Sequence, residues 1–320
     1  MTTNNCNLNQ PHDTGYKYLL SSKKAFVNMI RSFIRAGWAE KIDESSLVKV
    51  DKSFILQDFK NREADVVYRA HLKDRDIIFY VLLELQSKVD YLIPYRLLLY
   101  MTEVWRDVFR STSKKDTERK SFRLPVVVPI VLYNSKGNWT VPLSFKEILA
   151  GSDLFGNQAL DFQYLLINVH SYSEEDLLEL SGLFGAVFLV DQAKDLEEII
   201  ARLKLLAETI KNLEDEEFAL FTSWAENILT RNMKSDQKKE VANILQETRP
   251  EEVEEMISNV EKVLKKTYKE AEKQGMEKGM EKGIARGILL VARQMISEGE
   301  DIEKIMKYTG LSRQDIEQLK

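Results

Sequence analysis

Acidic and amide side chains stand at matching positions on the two halves of a predicted hairpin. Asp65 lies near the start of an apolar run that ends at Leu72, and Glu84 and Gln86 lie at the end of a run that begins at Ile77. Both runs are rich in Val, Ile, Phe, Tyr and Leu, which favour β-strands. The polar residues between the runs have turn composition. The sequence therefore predicts a β-hairpin with carboxylates at the end away from its turn.

The register of this hairpin decides which side chains meet. A two-residue loop at residues 74–75 sets Asp65 opposite Glu84 and Glu63 opposite Gln86. Opposed residues have Cβ atoms about 4.5–5.5 Å apart, and alternate residues of a strand share a face. Because like charges directly opposite each other are destabilising, such a cluster needs a cation, a shared proton or solvent.

Two interpretations of the cluster remain open. It is either the solvated face of an edge hairpin, screened by Lys60 or Arg69, or a site for Mg²⁺ or Mn²⁺, which prefer oxygen ligands. A bound metal ion would polarise a phosphodiester and activate water. In that case the amide of Gln86 would orient water or phosphate, and Arg96 would bind phosphate through a bidentate fork.

Other kinds of chemistry have little support in the sequence. It contains no Gly-x-Ser-x-Gly turn, no phosphate-binding glycine loop and no dinucleotide-binding fingerprint, and its three histidines are scattered. Because Cys6 is the single cysteine, an internal disulfide and a cysteine-based zinc site are excluded. No apolar run approaches the roughly 20 residues that span a membrane, so we expect a cytoplasmic protein without membrane association.

The charge distribution still allows a nucleic-acid partner. The net charge of -5 argues against general affinity for nucleic acid. Residues 95–123, however, carry eight Lys or Arg against four Asp or Glu, which is the composition of a local phosphate-binding patch.

The remaining pattern predicts an α/β core followed by helices. Strands at 124–133 and 161–169 alternate with a helix over 91–110, on which Arg96 and Tyr100 share a face, and a helix over 17–38 precedes them. The expected divisions are a flexible N-terminus (1–15), the α/β core (16–172), an all-α subdomain (173–248) with helices at 174–181, 195–213, 215–229 and 236–246, and a helical tail (249–320).

Glycine recurs at every fourth position of the long tail helix predicted from 251 to about 294. Each of these residues, Gly275, Gly279, Gly283 and Gly287, costs about 1 kcal/mol in a helix relative to Ala. The resulting stripe without side chains predicts a close helix–helix contact, most simply self-association into a homo-oligomer, whereas a flexible tether is the alternative. Short helices at 301–308 and 312–319 then resemble a helix-turn-helix, and Ser312 with Asp315 three residues on resembles a capping box. The few cations of this segment favour a terminal cap or docking piece over DNA reading.

The spacing of these motifs resembles known nucleases. Asp65, followed after the hairpin by Glu84-x-Gln86-Ser87, is similar to the Asp…Glu-x-Lys pattern of the PD-(D/E)XK nuclease superfamily. More narrowly, four features resemble the Rpn (YhgA-like) family of recombination-promoting nucleases: the stretch HDTGYK at 12–17, the strand end LELQS at 83–87, the helix with Arg96 and Tyr100, and the glycine-striped tail.

The resemblance implies a restriction-endonuclease-like core, a mixed sheet flanked by helices, and Mg²⁺- or Mn²⁺-dependent cleavage of DNA linked to recombination or mobile elements. It makes Asp65 and Glu84 metal ligands and puts Gln86 at the catalytic position of the superfamily lysine. A glutamine cannot act as a general base, so the metal would activate the water. Expected DNA contacts are Arg96, Tyr100 and Lys88. The alternative is an inactive DNA-binding or oligomeric scaffold protein that retains the fold.

Overall fold

The computed structural model of the chain describes residues 10–50, 66–73, 75–180, 182–231 and 233–319. These residues form an α/β structure, as the sequence indicated, and they divide into two compact units, one up to Glu261 and one from Lys262 onward. The strands are β1 (Ile42–Lys49), β2 (Val66–Leu72), β3 (Arg75–Gln86), β4 (Val126–Tyr133) and β5 (Leu165–Asn168). The helices are α1 (Gln10–Leu19), α2 (Lys23–Phe33), α3 (Ile93–Ser111), α4 (Lys114–Thr117), α5 (Ser152–Phe155), α6 (Glu174–Glu179), α7 (Leu183–Asp191), α8 (Leu196–Leu205), α9 (Ala207–Lys211), α10 (Asp215–Leu229), α11 (Ser235–Glu247), α12 (Val253–Ser297), α13 (Ile302–Thr309) and α14 (Arg313–Glu317).

The five described strands form one mixed sheet in the order β1-β2-β3-β4-β5. Strand β2 is antiparallel to both β1 and β3, whereas β3, β4 and β5 run parallel to one another. The central strand β3 therefore belongs to both halves of the sheet. A parallel connection needs a crossover, and α3 supplies it between β3 and β4.

The hairpin of β2 and β3 has the predicted register. Its partners run from Val66 opposite Leu83 to His71 opposite Ile78. The turn differs from the prediction, because Arg75 already belongs to β3. It pairs with Leu72 after the register shifts between His71 and Leu72. The next pairs along this register, those that involve residues 65 and 63, lie outside the described residues.

Helix α3 covers one face of the sheet because its apolar residues recur at helical spacing. Ile93, Leu97, Tyr100 and Val104 are buried, and they pack against sheet residues that include Val131. Burying each such side chain contributes about 1.5–3 kcal/mol. Pro94 lies in the first turn, where its missing N–H breaks no helical hydrogen bond.

The other face of the sheet packs against the N-terminal helices. The ring of Tyr68 on β2 lies 4.4 Å from that of Phe26 on α2, centroid to centroid. The Tyr68 hydroxyl donates a hydrogen bond of 3.0 Å to the carbonyl of Leu20. Burial raises the pKa of Tyr68 to about 12.

Two predicted helices differ from those observed, and one observed helix was not predicted. The single helix expected over 17–38 is two helices, because Ser22 caps α2 by accepting a hydrogen bond from the Ala25 N–H. The helix expected over 195–213 is likewise divided into α8 and α9. Helix α7 was missed, since its residues 183–190 are all buried and it lacks the polar face that makes helical periodicity visible.

The second unit has a small core of its own. Ala292 of α12, Ile305 of α13 and Ile316 of α14 are buried together. Helix α13 ends at Gly310, whose φ of 71° lies in the left-handed region that glycine adopts readily. The predicted capping box of Ser312 and Asp315 is confirmed at the start of α14.

The glycines of α12 are open to solvent: a Cβ built at Gly275, Gly279, Gly283 or Gly287 meets no described atom within 4 Å. Met276, Met280 and Ile284 beside them are 71%, 68% and 54% exposed. Across the described part of the chain, no helix combines the length and apolar character needed to cross a bilayer.

Candidate functional site

The site is built around a buried carboxylate at the end of the central strand. Glu84 lies two residues before the end of β3 and is only 1% exposed. Because side chains alternate along a strand, Glu84 shares the α3-facing side of the sheet with Tyr80. A buried carboxylate without compensating partners is unfavourable by several kcal/mol. The sequence therefore has to supply a positive partner within the fold.

That partner is Arg96, on the first turns of α3. Its Nη2 contacts the Glu84 carboxylate, and its Nη1 donates a hydrogen bond of 2.8 Å to Asp90 Oδ2. Nη2 also lies 3.3 Å from the hydroxyl of Tyr100, one helical turn further on. Burial by itself lowers the pKa of Arg96, but the Glu84 carboxylate and the Tyr100 hydroxyl raise that pKa above its usual value. The guanidinium is thus firmly charged, with a carboxylate on either side.

Asp90 joins the strand end to the helix start. Its Oδ1 accepts a hydrogen bond of 2.9 Å from the Leu92 N–H, while its Oδ2 binds Arg96. The Ile93 N–H donates to the Asp90 carbonyl at 3.1 Å. These bonds fix the first turn of α3 relative to Glu84. Sequence reasoning missed Asp90, although an Asp just before a helix start is a recognisable capping signal.

Gln86 and Lys88 continue the chain beyond Glu84. Gln86 is half-buried, and its Nε2 donates a hydrogen bond of 3.2 Å to Glu84 Oε1. Lys88 is exposed in the bend that follows β3, because the strand ends at Gln86. The residue in contact with the carboxylate is thus an amide, and Lys88 does not lie on the strand.

The predicted residues fall into three groups in the structure. Glu84, Gln86, Arg96 and Tyr100 are brought together in one hydrogen-bonded cluster. Tyr100 is fully buried within it. Lys88 lies nearby in sequence but outside the cluster, and Asp65 lies outside the described residues.

The groups of the cluster that could bind a metal ion are carboxylate oxygens. Within the described ranges, no three His, Cys, Asp or Glu side chains are grouped as a metal site requires. The described part of the site instead balances the carboxylates of Glu84 and Asp90 with the charge of Arg96. Carboxylate oxygens suit Mg²⁺ or Mn²⁺, so Glu84 fits such an ion once a second carboxylate joins it.

The sequence of the chain is similar to that of one known family. Residues 10–220 match the family model described as "Putative transposase, YhgA-like", and residues 287–320 match "Rpn/YhgA-like nuclease family, C-terminal HTH domain". Recombination-promoting nuclease RpnC of Escherichia coli (strain K12) is 25% identical over 134 residues, which is 42% of this chain and 42% of that protein. The match therefore spans less than half of the relative's length. No solved structure is significantly similar to the chain. Since the first model alone covers more than half of its residues, the chain belongs to the YhgA-like (Rpn) family.

Proposed function

We propose that the protein is a metal-dependent DNA endonuclease with a restriction-endonuclease-like core of the PD-(D/E)XK type. The observation that carries this proposal is the buried Glu84 carboxylate, with Gln86 beside it, at the end of the central strand of a mixed sheet. The name of the E. coli relative, a recombination-promoting nuclease, supports the same activity and its link to recombination. We extend that link to mobile elements because the matching family model is described as a transposase.

The proposed metal ligands are Asp65 and Glu84. The observed register of β2 and β3 holds over six successive pairs, and its continuation by one residue would set Asp65 opposite Glu84, on the α3-facing side of the sheet. When bound there, Mg²⁺ or Mn²⁺ supplies a Lewis acid and lowers the pKa of its water. The two positive charges of the ion would then balance the two carboxylates.

The remaining residues have positioning roles in this proposal. Gln86 orients water or phosphate through its amide, since it has no proton to exchange at neutral pH. Arg96 keeps Asp90 as a partner and turns its other donors to a DNA phosphate, for which its planar fork is suited. Tyr100 acts through Arg96, because its ring is buried and its hydroxyl contacts the guanidinium. Exposed Lys88 contacts the DNA backbone.

A catalytically silent DNA-binding protein is the second candidate. It is favoured by one observation: the positive charge beside Glu84 is supplied by Arg96, so the buried carboxylate is already compensated without an ion. In that case the fold would be retained for binding DNA or for assembly, and no divalent ion would be needed.

Plasmid nicking separates the two candidates. We expect the purified protein to nick supercoiled plasmid with Mg²⁺ and not with EDTA. Asp65→Asn and Glu84→Gln should abolish nicking, and the matched control Glu175→Gln, an exposed acid on α6, should not affect it. Nicking that persists in Asp65→Asn or in EDTA would exclude the proposed mechanism, and no nicking by the wild type would favour the silent protein.

We also propose that the protein forms a homo-oligomer through α12. The supporting observation is that the glycine stripe is open and flanked by exposed Met276, Met280 and Ile284. A second helix backbone can approach closely along such a stripe, and its side chains would cover the apolar residues beside it.

The C-terminal residues 287–320 carry five Lys or Arg and six Asp or Glu, so the helix-turn-helix offers little net attraction to DNA phosphates.

A further inference from the structure

Three large side chains are exposed where α3 begins, beside the buried cluster. Tyr91, Leu92 and Tyr95 are 64%, 56% and 45% exposed. Tyr91 lies in the turn before α3, Leu92 is the N-cap residue of α3, and Tyr95 lies in its first turn. The apolar residues of α3 that face the sheet are, by contrast, buried. These three residues, two tyrosines and a leucine, are here called the aromatic patch, and they face solvent.

The hydrogen bonds of the site hold the aromatic patch in a fixed position. Asp90 binds both the Leu92 N–H and the Arg96 guanidinium, and Arg96 in turn contacts Glu84. On the other side, the Tyr91 hydroxyl lies 3.1 Å from Thr140 Oγ1, in the loop that follows β4. The patch is therefore tied to the candidate cleavage site through direct contacts.

Two exposed lysines lie on the chain segments that adjoin the aromatic patch. Lys88 precedes it by three residues in the bend after β3, and Lys136 lies in the loop that leads to Thr140. The N-terminal end of the 19-residue α3 adds positive partial charge at the same place. Rings that stack on bases, combined with cations that contact phosphates, are the features with which proteins bind single-stranded nucleic acid.

A continuous duplex cannot use such a surface, because its base faces are already stacked on one another. Unpaired bases leave their faces free, and stacking on aromatic side chains is favourable for every base type. We propose that Tyr91, Leu92 and Tyr95 form a stacking surface for unpaired bases, so that the substrate class is DNA with an unpaired segment next to the cleavage position. This inference rests on the proposed nuclease function and adds its substrate preference.

Binding without cleavage tests the surface directly. Fluorescence anisotropy in EDTA would compare a labelled oligothymidylate with a blunt-ended, fully paired duplex of equal length. We expect the full-length wild-type protein to prefer the oligothymidylate. The double variant Tyr91→Ala/Tyr95→Ala should lose about tenfold of this affinity and keep its duplex affinity within about twofold.

Two control variants keep the test specific. Tyr91→Phe/Tyr95→Phe retains both rings and should bind the oligothymidylate like the wild type, although it loses the bond to Thr140. Tyr268→Ala removes a tyrosine of similar exposure, 59%, from α12 and should leave both affinities unchanged. Circular dichroism of each variant would verify that the folded helix content is unaltered.

The outcomes distinguish this inference from the proposed function. Equal oligothymidylate affinity in the wild type and the double alanine variant would overturn the stacking surface, as would equal losses on both DNAs. If the wild type nicks plasmid while its tyrosine variants bind as it does, only the substrate preference is rejected. If the wild type neither binds nor nicks DNA, both proposals fall.

Discussion

The carboxylate of Glu84 contacts the guanidinium of Arg96 across the packed interface between β3 and α3. The two side chains are 2% and 16% exposed, and they are twelve residues apart in sequence. This contact fixes the first turns of the helix against the end of the central strand. Because Arg96 supplies the positive charge beside Glu84, a divalent ion at this place would have to bind Glu84 alongside Arg96 or displace Arg96 from it.

Removing Arg96 should destabilise the protein more than removing other arginines. Arg96→Leu leaves the Glu84 carboxylate buried without this partner, which typically costs about 3–5 kcal/mol in the free energy of unfolding. Urea unfolding followed by circular dichroism would measure the loss. Adding Glu84→Gln to the same variant should restore part of the stability, because the buried charge is then absent.

A second arginine of α3 provides the matched control. Arg106 pairs with Glu103 but is 46% exposed, so Arg106→Leu should change the free energy of unfolding by no more than about 1 kcal/mol. Equal effects of Arg96→Leu and Arg106→Leu would show that the contact with Glu84 contributes little.

The packing of α3 on the sheet should depend strongly on Leu97. This residue is 0% exposed within the cluster that includes Val131 and Val104. Leu97→Ala should lower the free energy of unfolding by about 2–5 kcal/mol through lost burial and the cavity left behind. Leu154→Ala, at a position that is 81% exposed, should be close to neutral. A small effect at Leu97 would contradict the described interface.

Self-association through the glycine stripe should depend on the size of the side chains placed in the stripe and not on their helix propensity. Gly279→Leu/Gly283→Leu blocks close approach and should lower the molar mass measured by multi-angle light scattering. Gly279→Ala/Gly283→Ala raises helix propensity by about 1 kcal/mol per site and keeps the stripe narrow, so association should persist. Unchanged mass in the leucine variant would reject self-association through this stripe.

The sequence predicted the parts of the fold that depend on local signals. The two-residue loop assumed at 74–75 was sufficient for the register from Val66 to His71, although Arg75 itself belongs to β3, and the Ser312 capping box was visible from its spacing. Helix α7 could not be seen, because a helix buried on all sides has no polar face to reveal its period. The break at Ser22 was missed because the apolar spacing continues through it, and only the capping interaction separates the helices.

Tertiary contacts decided the arrangement of the site. The shared face of Arg96 and Tyr100 was predicted from their spacing, but the buried partner of Arg96 was not, since the approach of α3 to β3 depends on packing between distant residues. Asp90 was overlooked although its place just before the helix start is a capping signal, and its contact with Arg96 appears only once α3 packs beside the end of β3.

The central claim is that Asp65 and Glu84 jointly bind a divalent cation, and isothermal titration with Mn²⁺ tests it most directly. The wild type should bind one ion per chain at this site, and the control Glu175→Gln should bind it equally well. Asp65→Asn and Glu84→Gln, each folded by circular dichroism, should both lose this binding. Full Mn²⁺ affinity in Asp65→Asn would contradict the claim, as would the absence of any binding to the wild type.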